Sequence, residues 1–260
     1  MTETDQKNRL SKRLSLIIPA FNEADRIGKT LDKVFAYLDK QDYASEVIVV
    51  DDGSNDTTRD IVEAYIMKRA EDVGANARVS LQVFTLDINR GKGYTVNYGM
   101  LHMAKGAYRV FYDADAATPI DEVENLWPAF ANGADVVIGS RSLPESDVVI
   151  FQPWYRVFMG RTFNILLHLM RLSRYQDTQC GFKGFTAAAT EAIFKRQTLW
   201  GFSFDVELLF IAKQLGYVIT EIPIRWRDDP CSKVNPVRDA GQMFLDIVRI
   251  RVNDLLGRYH

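Results

Sequence analysis

At 260 residues, 47% hydrophobic and 25% charged, the chain has ordinary globular composition and is long enough to bury a substantial core. A formal net charge of −2 offers no general electrostatic attraction for nucleic acid, so no nucleic-acid partner is expected. The cysteines, Cys180 and Cys231, lie far apart without metal-ligand spacing, which argues against a disulfide framework or a zinc site and for a cytoplasmic, reducing setting. Residues 1–12 are polar and charged and read as a disordered lead-in, without the apolar stretch of a signal peptide. No apolar run approaches the roughly 20 residues of a spanning helix, so the chain is not expected to cross a bilayer by itself.

Residues 14–20 (LSLIIPA) form a first buried strand that ends at a proline, and Asn22-Glu23-Ala24-Asp25 supplies helix-start chemistry. The helix over 27–38 places Ile27, Leu31, Val34, Phe35 and Leu38 on one face. A second strand over 46–50 runs into Asp51-Asp52-Gly53-Ser54, followed by a helix over 57–70 and a third strand over 79–86. Asn89-Arg90-Gly91-Lys92-Gly93 is a turn opening a helix over 94–104, and a fourth strand over 108–112 delivers Asp113-Ala114-Asp115. Four rounds of strand, loop and helix predict an α/β fold: a doubly wound, mostly parallel sheet flanked by helices. Beyond it come a helix over 121–132, a strand over 135–139, an Arg-interleaved aromatic segment over 148–175 and a loop over 176–185. Helices over 187–194 and 205–215, a strand over 217–222, a loop over 225–236 and an amphipathic helix over 237–256 complete the chain.

Open α/β sheets bind ligands at the carboxyl ends of their strands. Alternate residues of a strand share a side, so Asp113 and Asp115 present two hard oxygen ligands together, suited to Mg²⁺ or Mn²⁺ that also holds phosphate oxygens. Taken alone, the same residues also make a plain solvated turn, as Asp51-Asp52-Gly53-Ser54 does. At the mouth of the same sheet, however, a carboxylate there can accept from a nucleobase N–H. Gly91-Lys92-Gly93 is either a flexible helix entry or a means of bringing a cation near a nucleotide; neither a full phosphate loop nor a dinucleotide fingerprint is present.

Taken in order, Pro19-Ala20-Phe21-Asn22-Glu23, Asp51-Asp52-Gly53-Ser54, Gly91-Lys92-Gly93 and Asp113-Ala114-Asp115 resemble the motifs of inverting family-2 glycosyltransferases with the nucleotide-diphosphosugar (GT-A) fold. Gly139-Ser140-Arg141, the run from Asp177 to Lys183, and Phe204-Asp205-Val206-Glu207 are similar to the branch that makes polyprenyl-phosphate sugars, the dolichyl-phosphate glucosyl- and mannosyltransferases. The resemblance implies a catalytic domain over 13–236, followed by the helix at 237–260. It implies that Pro19, Ala20, Phe21, Glu23, Asp51, Asp52, Lys92, Asp113, Ala114 and Asp115 bind the nucleotide-sugar donor, with Asp52 reading the base. By the same resemblance Asp113 and Asp115 hold Mg²⁺ or Mn²⁺, and Arg141, Arg161, Arg227 and Lys233 meet phosphate groups of donor or acceptor. Asp115 and Asp177 are the implied catalytic carboxylates, although an acceptor phosphate, already anionic, needs positioning by arginine more than deprotonation. Glu207 is either part of the site or a satisfied structural carboxylate.

Ala117 stands where mannosyltransferase relatives often carry Gln, and the Asp115–Pro119 and Gln179–Lys183 runs lean toward glucose. The expectation is inverting transfer of glucose from UDP-glucose to a polyprenyl phosphate. GDP-mannose as donor, a soluble acceptor, a catalytically silent nucleotide-sugar-binding module and a nucleotidyltransferase are the rivals. Residues 151–170 mix Trp, Phe, Leu and Met with Arg, the makeup of a helix lying peripherally on a membrane surface, or of one packed on the core or in a homo-oligomer contact. The last helix could be a second peripheral anchor.

Overall fold

The first strand, β1 (Leu14–Ala20), is buried at every position. Its alternate residues serve two different cores: Leu14, Leu16, Ile18 and Ala20 join one apolar cluster and Ile17 joins the other. A strand covered on both faces needs a continuous hydrophobic run, which is why this sequence shows no polar alternation. The computed structural model describes residues 14–73, 78–150, 165, 167, 170, 172–227 and 236–260, with the backbone alone at 73, 150 and 236–240. The expected lead-in over 1–12 and most of the 151–170 segment lie outside the described residues.

After β1 come α1 (Ile27–Leu38), β2 (Ser45–Asp51), α2 (Thr58–Val73), β3 (Val79–Thr85), α3 (Lys92–Tyr98) and β4 (Tyr108–Tyr112). The second half contains α4 (Leu126–Ala131), β5 (Val136–Ser140), β6 (Asp147–Ile150), β7 (Phe182–Thr186), α5 (Ala187–Phe194), α6 (Phe204–Gln214), β8 (Ile219–Pro223), β9 (Arg225–Arg227) and α7 (Pro236–Leu255). Seven strands form one sheet in the order β3-β2-β1-β4-β7-β5-β8, parallel except for β7, which runs antiparallel to β4 and β5. β6 and β9 pair as a separate two-stranded ribbon. One face of the sheet is covered by α1, α2 and α4, the other by α3, α5, α6 and α7.

The chain winds outward from β1 through β2 to β3, then returns to place β4 on β1's other side. Such a switch opens a crevice at the strands' carboxyl ends. The β1–β4 register runs from Leu14↔Tyr108 to Ile17↔Phe111, while β1 continues to Ala20, so the registered pairing ends short of both ligand-bearing loops.

Several elements differ from the sequence reading. The stretch expected to be a loop over 176–185 contains β7, with Phe182 in one core, Phe185 in the other and Lys183 fully buried between them. A lysine and a glycine in the middle of the strand hide its apolar pattern. The helix expected over 121–132 is a 3₁₀ segment, Ile120–Asn125, followed by α4, whose start at Leu126 keeps Pro128 in a first turn, where no intrahelical N–H is required. The helix expected over 94–104 is α3 followed by a π turn, Gly99–Met103. A Cβ at Gly99 would lie 2.6 Å from the Ile17 side chain, so glycine permits this close seating on the sheet. β6 and β9 fall in stretches read as irregular, where short strands carry too few residues for a period to show.

Candidate active site

Hydrogen bonds between loops tie the strand ends into one rim. Asn22, at φ 55°, donates its backbone N–H to Ser54 Oγ and accepts from the Asn55 N–H, both at 2.8 Å, while the Glu23 N–H reaches Thr58 Oγ1. Asp52 accepts from the backbone N–H groups of Arg90 at 2.7 Å and Gly91 at 2.9 Å, which joins the β2 loop to the glycine turn. That turn meets the second half of the chain where Gly93 N–H donates to Trp200 O at 2.8 Å. Gly91, at φ 95°, takes a conformation that favours glycine, and a Cβ there would lie 2.6 Å from Trp200 O.

These loops enclose a cavity of about 340 Å³. Pro19, Ala20, Phe21, Glu23, Asp52, Lys92, Asp113, Ala114 and Asp115 all line it, so three strand-end loops and the glycine turn converge as the sequence suggested. Asp51 is buried outside the lining, with one carboxylate oxygen accepting from the Ser54 N–H and hydroxyl. Asn89 and Gly91, from the turn the sequence singled out, also line the cavity, and Arg26, Thr95, Gly201 and Phe202, which escaped the sequence reading, complete the wall. Arg26 gave a local signal, a cation three residues beyond Glu23, whose carboxylate it clasps at 2.6 and 2.8 Å. Gly201 and Phe202 gave none, because only the fold brings them against the first-half loops.

The floor of the cavity is acidic with one lysine inserted. Lys92 Nζ stands 2.6 Å from Asp113 Oδ1 as an ion pair. That oxygen is buried, and the Lys92 ammonium is the partner that compensates it. On its other side Asp113 rests against Gly181, where a Cβ would lie 1.8 Å from Oδ2. Asp115 accepts from the Ala117 N–H at 3.0 Å, and the intervening Ala116 is held at φ 50°, a strained conformation for alanine at the point where two carboxylates are aimed. Burial, and then the neighbouring Asp113 charge, push the Asp115 carboxyl above the usual carboxylate range. Burial also raises Asp52 against the two backbone N–H groups it accepts. For Lys92, burial acts downward, but attraction by Asp113, Asp205 and Asp115 outweighs it and the ammonium is stabilised. Two crowded carboxylates, one with a buried oxygen compensated by a lysine, are a donor set that suits a hard divalent cation.

Beneath this floor lies a pair that sequence reasoning did not find: Lys183 Nζ, fully buried, donates to Asp205 Oδ1 at 2.6 Å and to Cys180 O at 2.5 Å. Asp205 is raised by burial, against the pull of Lys183 and Lys92.

Arg141 and Asp177 form a bidentate pair, Nε to Oδ2 at 2.6 Å and Nη2 to Oδ1 at 2.8 Å, with the guanidinium 5.2 Å from the Trp226 ring centroid. Neither Asp177 nor Arg141 lines the cavity; the Arg141 charge is stabilised first by Asp177, with Asp113 a smaller contributor. Arg227 is exposed on β9, its backbone N–H bonded to Ala117 O at 2.9 Å. Arg161 and Lys233 lie outside the described residues. Glu207 is fully buried and accepts from Thr198, Leu199 and Tyr259, the satisfied structural carboxylate of the two readings.

Residues 15–200 match the model of glycosyl transferase family 2. The chain belongs to that family. It is 35% identical over 254 residues to the dolichyl-phosphate beta-glucosyltransferase of Dictyostelium discoideum, spanning 94% of this chain and 75% of that one. The human enzyme of the same name is 33% identical over 263 residues, covering 96% and 78%, and that of Saccharomyces cerevisiae 35% over 260 residues, covering 95% and 76%. Among solved structures, glucosyl-3-phosphoglycerate synthase from Mycobacterium tuberculosis in complex with Mn²⁺, UDP and phosphoglyceric acid superposes with a TM-score of 0.66 at 18% identity, over 95% of this chain and 78% of that one. The same synthase with Mg²⁺ and UDP gives 0.65 at 19%, over 95% and 79%. At such identities the likeness carries the fold, here the GT-A arrangement of a mostly parallel sheet between helical layers.

Proposed function

We propose that this family 2 glycosyltransferase transfers glucose from UDP-glucose to a polyprenyl phosphate of the dolichyl type, with inversion. The observation that carries this reading is convergence: Asp52, Lys92, Asp113 and Asp115, from separate loops, line one cavity in a chain whose relatives are named dolichyl-phosphate beta-glucosyltransferases. An acceptor phosphate oxygen attacks the sugar's anomeric carbon from the face opposite the leaving group. The bond from that carbon to the donor diphosphate breaks, and UDP departs with the electron pair. Negative charge then accumulates on the diphosphate, and positive groups placed there beforehand lower the barrier.

Asp113 and Asp115 are the residues that would hold Mg²⁺ or Mn²⁺, which supplies charge neutralisation for the diphosphate when bound. Lys92 adds a second cation at the same point. Phe21, Pro19 and Asp52 frame the base end, where each Asp52 oxygen keeps a lone pair beyond its backbone bond. Arg141 receives the acceptor phosphate. Asp177, clasped by Arg141, orients that guanidinium and takes no proton, since a phosphate needs no deprotonation to attack. Arg227, and Arg161 and Lys233 by resemblance, would extend the positive approach. The lipid acceptor is met at a membrane surface; among the described residues no helix is long and apolar enough to cross a membrane.

Purified protein with labelled UDP-glucose, a short polyprenyl phosphate and Mn²⁺ or Mg²⁺ should yield lipid-linked glucose. Asp115→Asn should lower that rate at least about a hundredfold. Transfer from GDP-mannose in preference, or to soluble sugars alone, overturns the donor or acceptor assignment. An unchanged rate in the variant removes the metal site.

A further inference from the structure

We propose that Lys92 is an internal counter-ion, which a divalent cation must displace from Asp113 before the nucleotide diphosphate takes the lysine over, so that metal and nucleotide bind cooperatively. The inference rests on the reading of Asp113 and Asp115 as the metal carboxylates and adds the part played by the lysine between them and Asp205.

Three observations lead to it. The Lys92 ammonium lies 2.6 Å from the same buried Asp113 oxygen, so the lysine compensates an otherwise bare carboxylate position. A metal ion bound to that oxygen would stand within about 4 Å of an ammonium at that distance, and the two cations would repel by several kcal/mol. One partner must move, and the geometry decides which. Gly181 backs Asp113 so closely that a Cβ would sit 1.8 Å from Oδ2, and the Asp113 N–H is bonded to Gly181 O at 3.2 Å. The carboxylate is therefore held, while Lys92 has four methylene groups through which to swing. Its backbone stays in place, since Gly93 beside it is bonded to Trp200 O at 2.8 Å.

Asp205 keeps the displaced ammonium nearby. It attracts Lys92 although its own direct partner is Lys183 at 2.6 Å. Asp113, Asp115 and Asp205 hold the Lys92 and Lys183 ammonium groups in one acidic floor. A divalent cation adds two positive charges to that floor, and the freed lysine points its own charge at whatever anion enters the cavity. Metal binding without nucleotide thus works against the loss of the Lys92–Asp113 pair. With a diphosphate present, the lysine gains a new partner and that opposition disappears. Linkage makes the coupling reciprocal: the nucleotide tightens metal binding by the factor that the metal tightens nucleotide binding.

Mn²⁺ binding measured by electron paramagnetic resonance and calorimetry, with and without UDP, tests the exchange directly and needs no turnover. In the wild-type protein Mn²⁺ should bind weakly alone and at least about fivefold more tightly with UDP. Lys92→Met should bind Mn²⁺ alone at least about fivefold more tightly than wild type, bind UDP more weakly and lose most of the coupling. Lys92→Arg, which retains the charge, should keep weak binding of Mn²⁺ alone; a thermal melt of each variant verifies folding. Mn²⁺ affinity in Lys92→Met equal to or weaker than wild type, without UDP, overturns the counter-ion role while leaving the metal site standing. Mn²⁺ binding with UDP that is unaffected by Asp115→Asn removes the metal site, and this proposal with it.

Discussion

Asp177 accepts three hydrogen bonds from Arg141 alone, from the backbone N–H, Nε and Nη2, and a fourth, at 3.3 Å, from the Gln179 N–H. Burial pushes this carboxyl up, but the Arg141 guanidinium outweighs it and holds the group below the usual carboxylate range. A carboxylate whose folded pKa lies below its unfolded value of about 3.9 contributes stability above that value. The contribution is lost as pH falls through the folded pKa. Asp177→Asn should therefore cost about 2–3 kcal/mol in urea denaturation near pH 7, below the roughly 3–5 kcal/mol of fully buried pairs because the Arg141 side chain is 27% exposed. The gap between wild type and variant should narrow below about pH 4. A gap that stays constant to about pH 3 contradicts an ionised, arginine-held Asp177. The same residue shows where sequence reading stops. Asp113 and Asp115 stand out as a closely spaced carboxylate pair, although they lie in the turn beyond β4 and not on the strand, but Asp177 gives no sign that its partner lies 36 residues earlier. Lys183 and Asp205 stood in motifs the sequence displayed, but their pairing was hidden likewise, since a lysine in a polar, glycine-containing run resembles loop until the fold buries it.

At the scale of elements, strands covered on both faces and helices with one apolar face were readable because burial writes a period into the sequence. β7 was not, and neither was the direction in which α7 faces. Ile247 and Ile250 of α7 are buried in the core with Tyr259 beyond it, yet Phe244, Leu245, Val248, Val252, Leu255 and Leu256 are 42–86% exposed. Their spacing puts them on one arc of the helix. Asp246 and Asp254 lie off that arc, Asp246 buried and Asp254 bonded to Gln214, while exposed Arg249 marks the arc's edge. An apolar arc bordered by a cation and free of acids suits the surface of an anionic bilayer. The protein should pellet with anionic lipid vesicles, and Leu245→Asp with Leu255→Asp should lower the bound fraction at least about tenfold. Equal binding to neutral vesicles contradicts the electrostatic part. A dimer in light scattering, without vesicle binding, makes this face a contact between two copies.

The whole molecule joins two halves with separate tasks. The strands from β1 to β4 aim the acidic and glycine-containing loops at one end of the sheet. The later strands and helices bring Gly201 and Phe202 to close the cavity, with the Arg141–Asp177 pair outside its lining. The first task follows from a repeating strand–loop–helix grammar and was legible; the second depends on β7 entering antiparallel between β4 and β5, a long-range choice that local pattern does not encode. Because both halves wall the cavity, a nucleotide bound there bridges them and stabilises the folded chain against unfolding. At a hundred times its dissociation constant a ligand contributes about 2.7 kcal/mol, which for a domain of this size raises the melting temperature by about 5–10 °C. UDP with Mn²⁺ should produce that shift, UDP without metal a smaller one, and GDP with Mn²⁺ little at the same concentration. Equal shifts from UDP and GDP contradict a uridine-reading pocket, and a shift indifferent to Mn²⁺ contradicts a diphosphate held through Asp113 and Asp115.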